Sequence, residues 1–169
     1  LNEYAAGLQS KQALVWTARV GLIGAALAHI FSAVTLTMRS KKARGPDGYK
    51  KHTWLSERYA ARTMRLGGII LLAFIIYHIL HLTVGLKSID QQFVHCNALS
   101  GEFRCDAYGN MVRGFMTPAV AIFYVVANIF LGLHLTHGVW SALRTLGVGS
   151  PRWDAIARNA AYAVGTIIT

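Results

Sequence analysis

The stretch GGIILLAFIIYHILHLTVGL, residues 67–86, decides the fold class of this chain. It contains no Asp, Glu, Lys or Arg, and its twenty residues are enough for an α-helix to cross the hydrocarbon core of a bilayer. Other long apolar stretches lie on either side of it along the chain. We therefore predict an all-α integral membrane protein, a helix bundle forming a single transmembrane domain over 1–169. Its spans are predicted at about 13–38, 60–86, 117–143 and 151–169, and the last of these is short.

Charge is sparse and unevenly distributed along the chain. Charged residues make up 14% of the sequence and hydrophobic residues 54%, whereas a soluble domain carries about 25% charged residues. The formal net charge is +10. Because the basic residues lie mainly between the apolar stretches, this charge indicates membrane topology and not a nucleic-acid partner.

The basic residues also predict the orientation of the spans. The loop 39–59 is rich in Lys and Arg, whereas basic and acidic residues balance in the loop 87–116. Membrane proteins keep their Lys- and Arg-rich loops in the cytoplasm. We therefore predict that the first loop is cytoplasmic and that the second is external.

Three histidines lie deep within three different spans. His29 and His134 each precede the cytoplasmic end of their span by nine residues, which is about 13 Å. His78 lies about 12 Å from the external end of its span. Ionisable residues at such depth are costly in a bilayer and often functional. A hydrogen bond across a helix interface would also explain each histidine taken singly.

Two histidines at one depth on separate helices suit a bis-histidine haem b, because the iron takes one axial nitrogen on each face of the porphyrin. His29 and His134 are therefore predicted to ligate one haem b on the cytoplasmic side. His78 would ligate a second haem b on the external side, with its partner ligand outside this chain. His81 and His137 share the faces of their neighbours, and each could be the ligand instead or could bind a propionate. A zinc site is disfavoured, because zinc needs three or four converging ligands.

Haem propionates also need cationic or hydrogen-bonding partners. Several arginines lie near the predicted membrane boundaries at suitable depth. The candidates are Arg39, Arg62, Arg65 and Arg144.

The external loop carries two further features. An amphipathic helix is predicted from Asp106 to Phe115, with a loop packed on the helix ends as the alternative. Cys96 and Cys105 both lie in this loop. An oxidising compartment favours a disulfide between them.

Two stretches carry a resemblance to a known family. They are RLGGIILLAFIIYHILHLTVG, which contains His78, and FYVVANIFLGLHLTHGVWSALRTLG, which contains His134. They resemble the cytochrome b membrane anchor of the succinate dehydrogenase and fumarate reductase family, in its single-polypeptide branch with five helices and two haems b. The resemblance implies that His29, His78 and His134 match the ligands on the second, third and fourth family helices. The family pairs the second helix with the fourth and the first with the third.

The resemblance also implies what this chain lacks. The family has a first helix with its own histidine, which is absent ahead of the segment LNEYAAGLQSKQ, and the last helix here is abbreviated. We therefore expect the partner ligand of His78 to come from a preceding segment, or from a further small membrane subunit.

The function implied is that of an electron-carrying subunit in the bacterial cytoplasmic membrane. A flavoprotein subunit and an iron–sulfur subunit would oxidise succinate on the cytoplasmic side, docked on the basic loop 39–59, which could also attract anionic membrane lipid. The anchor would pass electrons through its haems to a quinone, menaquinone being usual in this branch. The dehydrogenase chemistry belongs to the partners, and no catalytic or quinone-site residue can be named from the sequence.

Two other classes of protein stay open. One is a cytochrome b subunit of another quinone-linked dehydrogenase, which would also place histidines on several spans. The other is a haem-free anchor or transporter, whose histidines serve helix packing or proton movement. An absorbance spectrum separates the haem proteins from the haem-free class.

Overall fold

The computed structural model describes residues 1–45, 58–86, 89, 92–99, 102–147 and 150–169. Most of the predicted cytoplasmic loop, from 46 to 57, lies outside these residues. The chain divides into two compact units, described separately below. The prediction of a single transmembrane domain stays a prediction.

Three of the described helices are long and apolar enough to cross a membrane. They are α2 (Gln12–Arg44), the stretch Thr63–Val84 and α5 (Pro118–Thr145). The stretch Thr63–Val84 combines most of α3 (Arg58–His78) with a π-helical segment, Ile79–Val84, that continues it. This confirms three helices of membrane-spanning length where the sequence predicted spans, with shifted ends, and their crossing of a membrane stays a prediction.

Helix α2 runs past its predicted end. The apolar stretch was expected to finish near residue 38, but the helix continues to Arg44. Its last turn contains Lys41, Lys42 and Arg44. Lys and Arg are good helix formers, and their positive charge is favourable at the C-terminal end of a helix dipole. The boundary of an apolar stretch therefore underestimates the length of the helix.

The first unit also contains a short helix and a hairpin. Helix α1 is Asn2–Gln9, and the antiparallel strands β1 (Asn97–Leu99) and β2 (Glu102–Arg104) pair so that Asn97 lies opposite Arg104. The hairpin was not expected from the sequence, which predicted helices alone. Cys96 and Cys105 form a disulfide directly beside that pair, with their Cα atoms 4.3 Å apart.

The second unit is organised around α5, which packs against α3 on one side and α6 (Pro151–Ile168) on the other. Between α5 and α6 the backbones lie close together, since a Cβ atom at Gly165 would be 2.9 Å from the carbonyl oxygen of Gly132. Ala157 and Ala161 precede Gly165 on α6 at four-residue intervals, and both are buried. Small residues at this spacing allow close helix packing in membranes.

Helix α6 begins at Pro151, as predicted, and is not among the helices long and apolar enough to span. Its first turn contains Asp154, whose carboxylate accepts a 2.6 Å hydrogen bond from the Arg144 guanidinium at the end of α5. This ion pair links the last turn of α5 to the first turn of α6.

The π-helical segment ends at a glycine because only glycine fits there. Gly85 has a φ of +64°, in the left-handed region, and a Cβ atom at this position would overlap the ring of Phe93. The N–H of Leu86 closes the turn on the carbonyl of Leu80 at 3.0 Å.

Helix α4 (Ala107–Phe115) confirms a helix at the position predicted within the loop 87–116. Its buried residues are Asn110 and Gly114. Met111 and Val112, two of its apolar residues, are exposed. The polar Asn110 is therefore turned inward while part of the apolar surface stays open.

Candidate functional site

Tyr124 of α5 lies between two of the candidate histidines. Its hydroxyl oxygen is 3.3 Å from Nδ1 of His78, at the end of α3, and 3.1 Å from Nδ1 of His81, in the π-helical segment. π-Helical turns are rare and occur frequently at functional sites. The three side chains form one hydrogen-bonded cluster, which we call the Tyr124 cluster.

Aromatic rings hold the centre of the Tyr124 cluster in place. Tyr124 is 8% exposed. Its ring meets Phe74 of α3 edge to face at 5.0 Å and Phe115 of α4 at 4.7 Å, measured between ring centroids. Because edge-to-face contacts fix the plane of a ring, the Tyr124 hydroxyl has little freedom to move away from the histidines.

The two histidines of the cluster differ in accessibility. His81 is 1% exposed, and it packs so tightly on α4 that a Cβ atom at Gly114 would be 2.6 Å from its Nε2. His78 is exposed. The sequence left open which of the two could ligate a haem. Only His78 could reach a group outside the packed helices without rearrangement.

His134 lies at a second level of the same unit. Contacts between α3 and α5 run in antiparallel order, from Phe74 beside Tyr124 to Gly68 beside His134, where a Cβ atom on Gly68 would be 3.8 Å from Cε1. His134 follows Tyr124 by ten residues, which is about 15 Å along the helix axis. The described helices thus place candidate histidines at two depths.

His137 is half-buried on α5. Its Nδ1 is buried and has no hydrogen-bond partner among the described residues. A buried ring nitrogen without a partner is costly. Hydrogen bonding to Nδ1 therefore does not account for the position of His137 among the described residues. Its role as a secondary candidate for haem binding stays a prediction.

The predicted pairing of His29 with His134 stays a prediction. His29 lies on α2 in the first unit, where it is exposed, and His134 lies on α5 in the second. The Tyr124 cluster and His134 together belong to the second unit.

The candidate propionate partners have different surroundings. Arg144 is paired with Asp154 and lies over the Trp140 ring, 5.2 Å from its centroid. Arg65 is exposed on α3, three residues before Gly68, the residue beside His134. Arg39 is exposed on α2, and the side chain of Arg62 lies outside the described residues. Arg65 is therefore the candidate closest in level to His134 within its own unit.

Within the described ranges, no three His, Cys, Asp or Glu side chains converge to hold a metal ion. A haem iron does not need such a group, because the porphyrin supplies four of its ligands and the protein adds one at each face. A single accessible histidine with its other ring nitrogen held, as in His78, fits one axial position.

Comparisons with protein-family models, with curated proteins and with solved structures found no match to this chain.

Proposed function

We propose that this chain is a haem b membrane anchor of the succinate dehydrogenase and fumarate reductase type, which passes electrons from an iron–sulfur subunit to a quinone, in this branch menaquinone. The observation that carries the proposal is His78, an exposed histidine on a membrane-length helix whose Nδ1 is held by a buried tyrosine. Metal-ligating histidines commonly have the other ring nitrogen held in this way.

The free-energy cost of exposing a histidine ring to lipid supports the same proposal. A polar ring that faces lipid within a span is unfavourable, so an exposed histidine on such a helix indicates that another group covers it. His78 lies exposed on a helix of membrane length. A flat haem that takes the imidazole as a ligand covers the ring and satisfies its nitrogen at once.

The proposed ligands divide between two sites. His78 would hold a haem on the external side, with its partner ligand outside this chain, and His29 with His134 would hold another on the cytoplasmic side. Bound haem b supplies one-electron oxidation and reduction. Within the chain, the Tyr124 hydroxyl would hold the His78 imidazole in position through Nδ1.

The remaining partners follow from the topology. The basic loop 39–59 would dock the iron–sulfur and flavoprotein subunits on the cytoplasmic face of a bacterial inner membrane, where the carboxylic-acid chemistry takes place. The chain is therefore an enzyme subunit that carries electrons without oxidising succinate itself.

The test is a reduced-minus-oxidised spectrum of the purified complex, with a pyridine haemochrome count. Three variants, His29→Ala, His78→Ala and His134→Ala, are compared with the wild type. We expect one haem to be lost in both the His29 and His134 variants, and a different haem to be lost in the His78 variant.

His95→Ala is the matched control, because His95 lies exposed in the hairpin region and should leave both haems in place. A wild-type complex without haem would overturn the electron-relay function and leave a haem-free anchor or transporter. Succinate-dependent haem reduction then separates this family from other quinone-linked dehydrogenases.

A further inference from the structure

We propose that Tyr124 is a positioning residue that fixes the tautomer and ring orientation of His78, so that Nε2 of His78 faces the haem iron on the external side. This inference rests on the function proposed above. It assigns to Tyr124 a role that acts through the histidine, without contact between its own hydroxyl and the iron.

The Tyr124 cluster has a limited number of protons with which to make its hydrogen bonds. A tyrosine hydroxyl has one proton to donate and lone pairs with which to accept. It lies within hydrogen-bond distance of two Nδ1 atoms, those of His78 and His81. It can therefore donate to only one of them and must accept from the other, if both bonds are made.

Coordination of His78 to the iron would determine which histidine ring donates a hydrogen bond to the Tyr124 hydroxyl. A neutral imidazole that coordinates through Nε2 carries its proton on Nδ1. Nδ1–H of His78 would then donate to the Tyr124 oxygen, and the Tyr124 hydroxyl would donate to Nδ1 of His81. In this direction, from His78 through Tyr124 to His81, the Nδ1 proton of His78 and the hydroxyl proton of Tyr124 each make one hydrogen bond, and His81 only accepts.

The surroundings make this arrangement rigid. The Tyr124 ring is held edge-on by Phe74 and Phe115. His81, the proposed terminal acceptor, is buried against Gly114. Neither can follow a rotation of His78, so the hydrogen bond to the hydroxyl selects one orientation of the exposed ring. Among the described residues, Nε2 of His78 makes no hydrogen bond and stays open for a ligand.

The experiment compares Tyr124→Phe with Tyr77→Phe in the purified complex. Tyr124→Phe removes the hydroxyl but keeps the ring that packs on Phe74. Tyr77 is the matched control, because its ring borders the same cluster, with its centroid 5.5 Å from that of His81 and 6.2 Å from that of Tyr124, while its hydroxyl makes no hydrogen bond among the described residues. Each haem is followed by redox titration and by its low-spin ferric EPR signal.

We expect the midpoint potential of the His78 haem to rise in Tyr124→Phe. An acceptor on Nδ1–H increases the basicity of the imidazole, which favours ferric iron, and its removal reverses that effect. If the affinity of the imidazole for ferric iron falls tenfold relative to its affinity for ferrous iron, the midpoint potential rises by about 59 mV for this one-electron couple. The EPR signal of that haem should change with it. Tyr77→Phe should change neither property, and the His134 haem serves as the internal measure of folding.

The outcomes separate this inference from the proposed function. A rise in the midpoint potential of the His78 haem alone in Tyr124→Phe, or the loss of that haem alone, supports the positioning role, and a fall in its potential counts against it. An unchanged potential and EPR signal, or an equal shift in Tyr77→Phe, overturns the role while the haem-anchor function stands. A wild-type complex without haem, by contrast, overturns the function and this inference with it.

Discussion

At the scale of single residues, the stability of the molecule depends on how tightly its neighbours enclose His81. Its ring is held by the Tyr124 hydroxyl and lies 1% exposed against Gly114. A Cβ atom added at Gly114 would lie 2.6 Å from Nε2 of His81, and the locked ring cannot move aside. We expect Gly114→Ala to lower the free energy of unfolding in detergent by about 1–3 kcal/mol, as overpacking does.

Gly138→Ala is the control for this prediction. A Cβ atom at Gly138 meets no atom within 4 Å in the described structure, so the same substitution should leave the free energy of unfolding unchanged or slightly raised. Denaturation in mixed micelles measures both variants. Equal stability in the two would show that His81 is not confined by α4.

The choice between His78 and His81 also shows where sequence reasoning stops. Residues three apart on a helix share a face, so periodicity treats the two histidines alike. They are distinguished by Gly114, more than thirty residues away in sequence, and by the π-helical segment, which begins directly after His78 and contains His81. The contact of Tyr124 with both histidines was missed for the same reason, because the register of α5 against α3 is not encoded in either helix alone.

At the scale of elements, the apolar stretches predicted the three long helices well and the ends of those helices poorly. Long uncharged stretches determine that helices form in a bilayer, whereas their ends depend on polar residues such as Lys42 and Arg44, which extend α2. The contact of α5 with α6 depends on small residues, whose meaning in sequence is ambiguous because they occur throughout membrane helices.

Two neighbouring alanines of α6 test that contact. Ala161 is 1% exposed, whereas Ala160 is exposed. Ala161→Leu would force the helices apart where Gly132 and Gly165 bring their backbones together, at a cost of about 1–3 kcal/mol. Ala160→Leu adds the same side chain to an open face and should be nearly neutral. Thermal unfolding of each purified variant decides between them, and equal effects would argue against close α5–α6 packing.

At the scale of the whole molecule, the distribution of charge predicts which end of each span is cytoplasmic. The basic end of α2 should lie in the cytoplasm, and the hairpin with its disulfide should lie outside, because disulfides persist in an oxidising compartment. After mild reduction with a membrane-impermeant phosphine, Cys96, which is exposed, should react with an impermeant maleimide on intact cells.

A second cysteine position completes the topology test. In a background with Cys96→Ser and Cys105→Ser, Ser40→Cys places one thiol on the exposed basic end of α2. That thiol should react in inverted vesicles and stay protected in intact cells. If Ser40→Cys were labelled from outside intact cells, or Cys96 only in inverted vesicles, the orientation of the chain would be opposite to the predicted one. The docking face of the soluble subunits would then lie on the wrong side of the membrane for a cytoplasmic succinate dehydrogenase, so the topology constrains the function as strongly as the histidines do.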